Sequence, residues 1–233
     1  GTAITTGDAN VAVGYQALSA NCGDYNTAVG KEALAVTTAS NNTAVGYQAG
    51  AALTTGVRNT LSGTLAGDAL TDADRNVALG YSALGSDTLG SRSFAIGYTT
   101  LNAQNFTTAT DSYNTAVGYG AGALVTTGIQ NTLIGGLAGD ALTDADRNVA
   151  IGYSSLSSDT LGNYSVAIGR SALSAQNFTT ATDAYNTAVG SAAGGAVTTG
   201  IQNTIMGGLA GDALTDADYN VAIGYAALTT DTL

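Results

Sequence analysis

Apolar and small residues alternate in a short segment that recurs along the whole chain. The segment reads Asn-Thr/Val-Ala-Val/Ile-Gly, as at residues 26–30 and 148–152. Alternation with a period of two is typical of a β-strand, because successive side chains of a strand point to opposite faces. The copies of the segment end at Gly14, Gly30, Gly46, Gly63, Gly80, Gly97, Gly118, Gly135, Gly152, Gly169, Gly190, Gly207 and Gly224. The sequence therefore predicts thirteen short strands.

The spacing of these glycines is nearly constant: it is sixteen or seventeen positions, lengthened to twenty-one in two places. A fixed period of this length is the signature of a solenoid, in which each repeat packs on its neighbours. A longer period relates Gly46, Gly118 and Gly190, so that four repeats form one super-repeat. We predict an all-β fold, a parallel β-solenoid of about thirteen coils, each sixteen to twenty-one residues long, that forms a single array over residues 1–233.

The alternation also assigns the two faces of each strand. Val149 and Ile151 share one face and Ala150 takes the other. We expect the β-branched pair to line the interior and the alanine to lie outside, because β-branched side chains fill a packed strand face well. On this assignment Ile151→Asp is expected to disrupt the stack by burying a carboxylate. The glycine after each strand is expected to provide a turn, or a close contact that a Cβ would obstruct.

Two further positions complete the predicted coil. An apolar residue recurs four residues after the glycine, at Leu18, Leu34, Leu84, Leu101, Leu156, Leu173 and Leu228. The asparagine that opens the segment either forms a ladder of side-chain hydrogen bonds from coil to coil or only begins a turn. A helix over residues 63–70 (GTLAGDAL) is disfavoured by its length and its glycines. Tyrosines after the glycine, such as Tyr81 and Tyr98, are expected to pack over neighbouring coils.

Composition agrees with a thin solenoid. The chain has 32 Gly, no Pro, no Trp and three Phe, so it cannot build one thick core, but it can line a narrow interior that repeats. Six Lys and Arg against 17 Asp and Glu argue against a nucleic-acid partner. No apolar run approaches the ~20 residues of a membrane span, so we expect no membrane insertion. The lack of an initiator Met, with both ends inside repeats, suggests a fragment of a longer fibre.

The same residues argue against catalysis. The chain has no His, so a His-activated nucleophile cannot be assembled. Its only Glu is Glu32, and its aspartates lie mostly at repeated positions, as expected for turn residues, whereas a catalytic pair of carboxylates usually breaks a repeat. We therefore predict that the protein is not an enzyme.

One acidic motif, Asp-Ala-Asp-x-Asn, resembles the opening of a calcium loop, where oxygen ligands alternate along the chain. The candidate ligands are Asp72, Asp74, Asp144, Asp146, Asp216 and Asp218. The glycine and the bidentate Glu of a calcium loop are missing. The alternative is a polar turn in which Asp side chains cap backbone N–H groups. Apart from calcium, no cofactor is predicted.

The two longest spacings arise at residues 102–111 and 174–183, where four extra residues are expected to form a loop. An exposed aromatic ring among polar side chains suits a sugar or protein contact. The candidate receptor-binding residues are Gln104, Asn105, Phe106, Gln176, Asn177 and Phe178. The alternative is that each Phe folds back over the coil edge.

The segments NTAVGYQAG (42–50), NVAIGY (148–153) and SVAIG (165–169) resemble the YadA-like head repeats of trimeric autotransporter adhesins. That family has short repeats centred on Asn/Ser-x-Ala-Ile/Val-Gly, and the resemblance covers essentially the whole chain. It implies a left-handed parallel β-roll in which three chains pack side by side as a homotrimer. Similar repeats occur in the shafts of phage tail fibres, and the GYQAL form at 14–18 favours that branch.

These observations lead to a functional hypothesis: a non-enzymatic trimeric fibre segment for attachment to a cell surface, either a phage tail fibre shaft or its receptor-binding region. Its partner would be a cell-surface glycan or protein, and its place extracellular, on a virion tail fibre or a bacterial surface. The alternative is the head of a bacterial trimeric autotransporter adhesin. An ice-binding solenoid is disfavoured, because the pairs Thr54–Thr55, Thr126–Thr127 and Thr198–Thr199 recur only once in each super-repeat.

Overall fold

The computed structural model describes residues 4–230, in which all regular structure is β-strand. The three-residue strands are β1 (Val11–Val13), β2 (Thr27–Val29), β3 (Thr43–Val45), β4 (Thr60–Ser62), β5 (Val77–Leu79), β7 (Phe94–Ile96), β9 (Thr115–Val117), β10 (Thr132–Ile134), β11 (Val149–Ile151), β13 (Val166–Ile168), β15 (Thr187–Val189), β16 (Thr204–Met206) and β17 (Val221–Ile223). The two-residue strands are β6 (Gly90–Ser91), β8 (Thr110–Asp111), β12 (Gly162–Asn163) and β14 (Thr182–Asp183). None of the described residues forms a helix that is long and apolar enough to cross a membrane.

The chain divides into two compact units, residues 1–114 and 115–233. In the first unit the three-residue strands pair in parallel in the order β1-β2-β3-β4-β5-β7, and β6 pairs with β8. In the second the order is β9-β10-β11-β13-β15-β16-β17, and β12 pairs with β14. Equivalent residues stack in register, for example Ala150 on Ala167. The prediction of an all-β parallel solenoid of about thirteen coils is confirmed.

The predicted orientation of the strands was wrong. Ala150 is fully buried, whereas Val149 and Ile151 on either side of it are only partly buried. All the three-residue strands from β2 onwards share this pattern, with the central residue inside. The interior is narrow, and buried leucines from the following turn, such as Leu156, already occupy it. Only a methyl group fits beside them in most coils, so the β-branched side chains lie outside.

The glycine after each three-residue strand has the predicted turn conformation and, in most coils but not at Gly224 in the last coil, also the predicted close contact. Gly152 has a φ of +134°, which an L side chain rarely adopts. A Cβ at this position would lie 2.5 Å from the carbonyl oxygen of Gly169 in the next coil. The glycine therefore allows the turn and the close stacking of successive coils.

The second apolar position also lies where the sequence places it. Leu18, Leu34, Leu84, Leu101, Leu156 and Leu173 are fully buried, while Leu228 in the last described coil is 37% exposed. Residues 63–70 form a bend and a turn rather than a helix, as predicted.

The opening asparagines form a buried ladder. The backbone N–H of Asn59 donates to Oδ1 of Asn42 (2.9 Å), and the N–H of Asn76 donates to Oδ1 of Asn59 (2.9 Å). The amide group of Asn59 also donates to the carbonyl oxygen of Ala73 (2.7 Å). The second unit repeats the arrangement, with the N–H of Asn148 donating to Asn131 (2.9 Å). Of the two roles considered for this residue, the ladder is the one observed.

Candidate interaction surface

The phenylalanines of the two long coils are not displayed to solvent. Phe106 is 5% exposed and Phe178 is 6% exposed. A Cβ on Gly90 would lie 2.7 Å from a ring carbon of Phe106, and one on Gly162 would lie 2.8 Å from Phe178. Each ring therefore folds back onto a glycine of the preceding coil, and the fold-back alternative is confirmed.

Two further candidate binding residues, Gln104 and Gln176, are fully buried. Nε2 of Gln104 donates to Oδ2 of Asp87 (2.5 Å) and to Oγ of Ser93 (2.8 Å). Its Oε1 accepts a hydrogen bond from Nδ2 of Asn114 (2.9 Å). The prediction that these glutamines face a receptor was wrong, because their amide groups form hydrogen bonds inside the coil.

The centre of this network is the fully buried Asp87, which is not among the residues predicted from the sequence. Its Oδ1 accepts from the backbone N–H groups of Gly90 (3.0 Å) and Phe106 (3.3 Å). Asp159 repeats the pattern with Gly162 (3.1 Å) and Phe178 (3.0 Å). A signal was present, since the two coils that supply the glutamines open with Ser instead of Asn, and each of those serines accepts a glutamine amide.

Of the six candidate binding residues, only Asn105 and Asn177 are exposed. Their Oδ1 atoms accept hydrogen bonds from the hydroxyls of Thr88 (3.0 Å) and Thr160 (3.3 Å). The following Thr-Thr-Ala residues, 107–109 and 179–181, are also exposed. A polar loop is thus displayed at each of the two long coils.

The aspartates of the calcium hypothesis act as caps. Oδ1 of Asp74 accepts the N–H of Val57 (2.8 Å), and Asp146 and Asp218 do the same for Ile129 and Ile201 (2.8 Å each). Asp72 and Asp144 accept threonine hydroxyls of the preceding coil (2.6 Å each); Asp216 accepts that of its neighbour Thr215 (3.1 Å). Between residues 4 and 230 no group of three or more His, Cys, Asp or Glu is arranged to hold a metal ion. The geometry supports the capping interpretation.

Threonines form a column from coil to coil, although the Thr-Thr pairs considered for ice binding recur only once in each super-repeat. Single threonines recur from coil to coil, at Thr54, Thr71 and Thr88 and at Thr126, Thr143 and Thr160. Their hydroxyls donate to carbonyl oxygens of the next coil, as Thr54 does to Thr71 (3.1 Å) and Thr143 does to Thr160 (3.0 Å). The column is therefore a ladder that links coils, and its donors are already used.

Exposed apolar side chains recur on the outer face of the three-residue strands, which we call the sheet face. It presents the first and third residue of each strand. The apolar side chains among them that are more than one third exposed are Val11 (47%), Val13 (57%), Val45 (40%), Phe94 (39%), Ile134 (38%), Met206 (47%), Val221 (67%) and Ile223 (64%); Thr60 and Thr204 are exposed as well. Threonine fills the first position of seven of the thirteen strands and Ser62 fills one third position, so the third-position column is the mainly apolar part of the face. An exposed apolar column of this kind usually marks an interface.

Two columns of side chains border the sheet face in each unit. The entry column holds the residue before the opening Asn or Ser, which has a positive φ throughout: Ala9, Tyr25, Asn41, Arg58, Arg75, Arg92, Tyr113, Gln130, Arg147, Tyr164, Tyr185, Gln202 and Tyr219. The exit column holds the residue after the strand glycine: Tyr15, Lys31, Tyr47, Thr64, Tyr81, Tyr98, Tyr119, Gly136, Tyr153, Arg170, Ser191, Gly208 and Tyr225.

Rings and cations stack along these columns. Tyr81 and Tyr98 lie with ring centroids 5.2 Å apart, and Tyr164 and Tyr185 with centroids 5.0 Å apart. The guanidinium of Arg147 lies 5.3 Å from the ring of Tyr164. The prediction that the tyrosines pack over neighbouring coils is confirmed for Tyr81 and Tyr98, which nevertheless stay 45% and 49% exposed.

Basic and acidic residues occupy different positions of the coil. All six Lys and Arg residues lie in the two bordering columns: Lys31, Arg58, Arg75, Arg92, Arg147 and Arg170. None of the 17 Asp and Glu residues occupies a position of the sheet face or of its columns. Four of these cations lie beside a carboxylate: Nζ of Lys31 is 3.4 Å from Glu32, the guanidinium groups of Arg75 and Arg147 are 3.7 Å from Asp74 and Asp146, and Arg92 pairs with Asp111.

The described part of the chain forms no pocket, so this exposed face is its main candidate for an interaction. No family model, no curated protein and no solved structure matches the chain.

Proposed function

We propose that this chain is a segment of a homotrimeric, non-enzymatic fibre that attaches to a cell surface. The observation that carries the proposal is the exposed apolar sheet face, which both units carry. A cyclic assembly would cover this strip on every copy at once, because each copy uses the same surface. The resemblance to YadA-like head repeats supports three copies and a left-handed coil.

The mode of attachment follows from the surfaces that a trimer leaves free. With the sheet faces covered, the polar loops at 107–109 and 179–181 stay exposed and are suited to contact a cell-surface glycan or protein. Within this proposal the segment belongs to a phage tail fibre and acts outside the cell. The alternative is the head of a bacterial trimeric autotransporter adhesin, which has the same type of repeat.

The test is the mass of the purified chain in solution, measured by light scattering with and without a calcium chelator. A mass of three chains is expected, unchanged by the chelator because the aspartates cap backbone groups. A stable monomer would contradict the proposal.

A matched pair of variants tests whether the sheet face carries the association. Ile151→Asp places a carboxylate on the sheet face and is expected to lower the mass to that of a monomer while the β-sheet circular dichroism is retained. Ala150→Asp buries the same group inside the coil and is expected to unfold the surrounding coils. An Ile151→Asp variant that stays trimeric would show that the association uses another surface.

A further inference from the structure

The two columns that border the sheet face are matched to each other coil by coil. Six coils carry a cation at one border, and in five of them the other border carries a tyrosine. The five pairs, entry column first, are Tyr25 with Lys31, Arg75 with Tyr81, Arg92 with Tyr98, Arg147 with Tyr153, and Tyr164 with Arg170. Arg58 faces Thr64, and in no coil do both borders carry a cation.

The members of a pair cannot meet within one chain. The two columns are six residues apart on either side of a three-residue strand, a separation of up to about 20 Å at ~3.3 Å per residue. The cation–ring contacts inside the chain run along a column instead, from Arg92 to Tyr113 (5.4 Å) and from Lys31 to Tyr47 (5.4 Å). Within one copy these cations contact rings along their own column or neighbouring carboxylates, as Arg75 does Asp74 (3.7 Å), and not the tyrosine across the sheet face.

A second copy of the chain can bring the matched entry and exit columns into contact. In a cyclic assembly whose axis runs along the coils, equivalent coils of all copies lie at the same height. The entry column of one copy can then meet the exit column of the next at every coil. Arg75 of one copy would face Tyr81 of its neighbour, and guanidinium groups bind well to the face of an aromatic ring.

We propose that the copies dock through this contact between entry and exit columns, in register, with the sheet faces enclosed between them. The inference rests on the proposed assembly of three copies and specifies its interface. The contact joins two different surfaces at the same height, so it is compatible with a closed ring of three copies and not with a two-fold dimer.

The charges disfavour the other arrangements. Contact between two entry columns at the same height would place Arg58, Arg75 and Arg92 against their own counterparts. Contact between two exit columns would do so for Lys31 and Arg170. Between residues 4 and 230 every acidic residue except buried Asp87 and Asp159 lies on the remaining surfaces. Glu32, Asp74, Asp111 and Asp146 pair with column cations, and the other carboxylates make contact between two copies of those surfaces unfavourable.

Disulfide trapping in the full chain tests the pairing. In a Cys22→Ser background, the double variant Arg75→Cys with Tyr81→Cys is expected to form covalent trimers under mild oxidation. Within one chain the two cysteines are too far apart for a disulfide, which needs Cα atoms within about 7 Å. Arg147→Cys with Tyr153→Cys repeats the test in the second unit, in case the first variant folds poorly.

Two controls make the result specific. Arg75→Cys alone is expected to stay uncrosslinked, and Arg75→Cys with Tyr15→Cys, at different heights of the same unit, is expected to give no covalent trimer. A parent chain that is trimeric by light scattering but gives no trimer from either matched pair would overturn the pairing and leave the trimer intact. Covalent dimers from Arg75→Cys alone would also overturn it, whereas a monomeric parent would remove the proposed function itself.

Discussion

Two neighbouring regions of the first unit fill the same interior position in opposite ways. Seven residues after the strand glycine, the coils from Gly46 and Gly63 carry Leu53 and Leu70, whereas the next two carry Asp87 and Gln104. All four side chains are fully buried. The first pair packs against other aliphatic groups, and the second pair forms the hydrogen-bond network with Ser93 and Asn114.

The loss of a buried leucine at the seventh position of the polar coils is compensated by a leucine at the fourth position. Four residues after the strand glycine, the aliphatic coils carry Gly50 and Gly67, and the polar coils carry Leu84 and Leu101. A Cβ on Gly67 would lie 2.7 Å from Leu70 and 2.9 Å from Leu61. In each of these four coils a leucine therefore fills the interior from either the fourth or the seventh position after the strand glycine. The super-repeat of four coils is therefore a repeat of interior packing, in which like coils stack in pairs.

The largest effect is expected when a carboxylate is moved into the aliphatic coils. Leu70→Asp buries it without donors, which should cost more than about 4 kcal/mol of the free energy of unfolding. Hydrogen exchange should show loss of protection in the coils around residue 70, and a chemical melt should show a lower midpoint. Unchanged protection would mean that the two interiors are interchangeable.

The reverse exchange should have a smaller effect. Asp87→Leu leaves the N–H groups of Gly90 and Phe106 and the amide of Gln104 without their acceptor, at a cost of roughly 2–4 kcal/mol. The same substitution at Asp159 serves as a repeat in the second unit. An increase in the chemical midpoint for either variant would show that apolar packing alone suffices there.

The balance between positions four and seven can be tested with a cycle of variants. Gly67→Leu should cost about 1–3 kcal/mol through overpacking against Leu61 and Leu70. The backbone tolerates leucine there, since Leu84 has a φ of 53° at the equivalent position, against 55° for Gly67. Adding Leu70→Ala should recover part of the loss in thermal melts. Strict additivity of the two substitutions would contradict a shared space.

The smallest effect concerns Asp68, which lies on the aliphatic coils. Partial burial raises the pKa of its carboxyl group, and the same holds for Asp140. A raised pKa means that the folded chain binds more protons than the unfolded chain, so this contribution to stability is full below the ordinary value of 3.8 and is lost as pH rises through the folded pKa. Asp68→Asn should therefore raise the melting temperature slightly at pH 7 and not at pH 3. A larger gain at pH 3 would reverse the sign.

Much of the fold could be predicted from the sequence because a solenoid depends on local contacts that repeat. The strand positions, the strand glycines and the six buried leucines followed from spacing alone. The site could be predicted only in part. Loops at residues 102–111 and 174–183 followed from the extra residues, but whether Phe106 pointed outward depended on space beside Gly90.

The sequence by itself determined the number of coils, their length and the residues that stack, because identical positions in a regular array must meet one another. Only the tertiary structure decided which strand face is inside. Alternation shows that Val149 and Ile151 share a face, but the free volume of the interior, already taken by leucines from the turn, decides that this face is turned to the outside. The same volume decides where Asp87 and Gln104 can be buried, since a polar side chain enters the core only where donors and acceptors already converge.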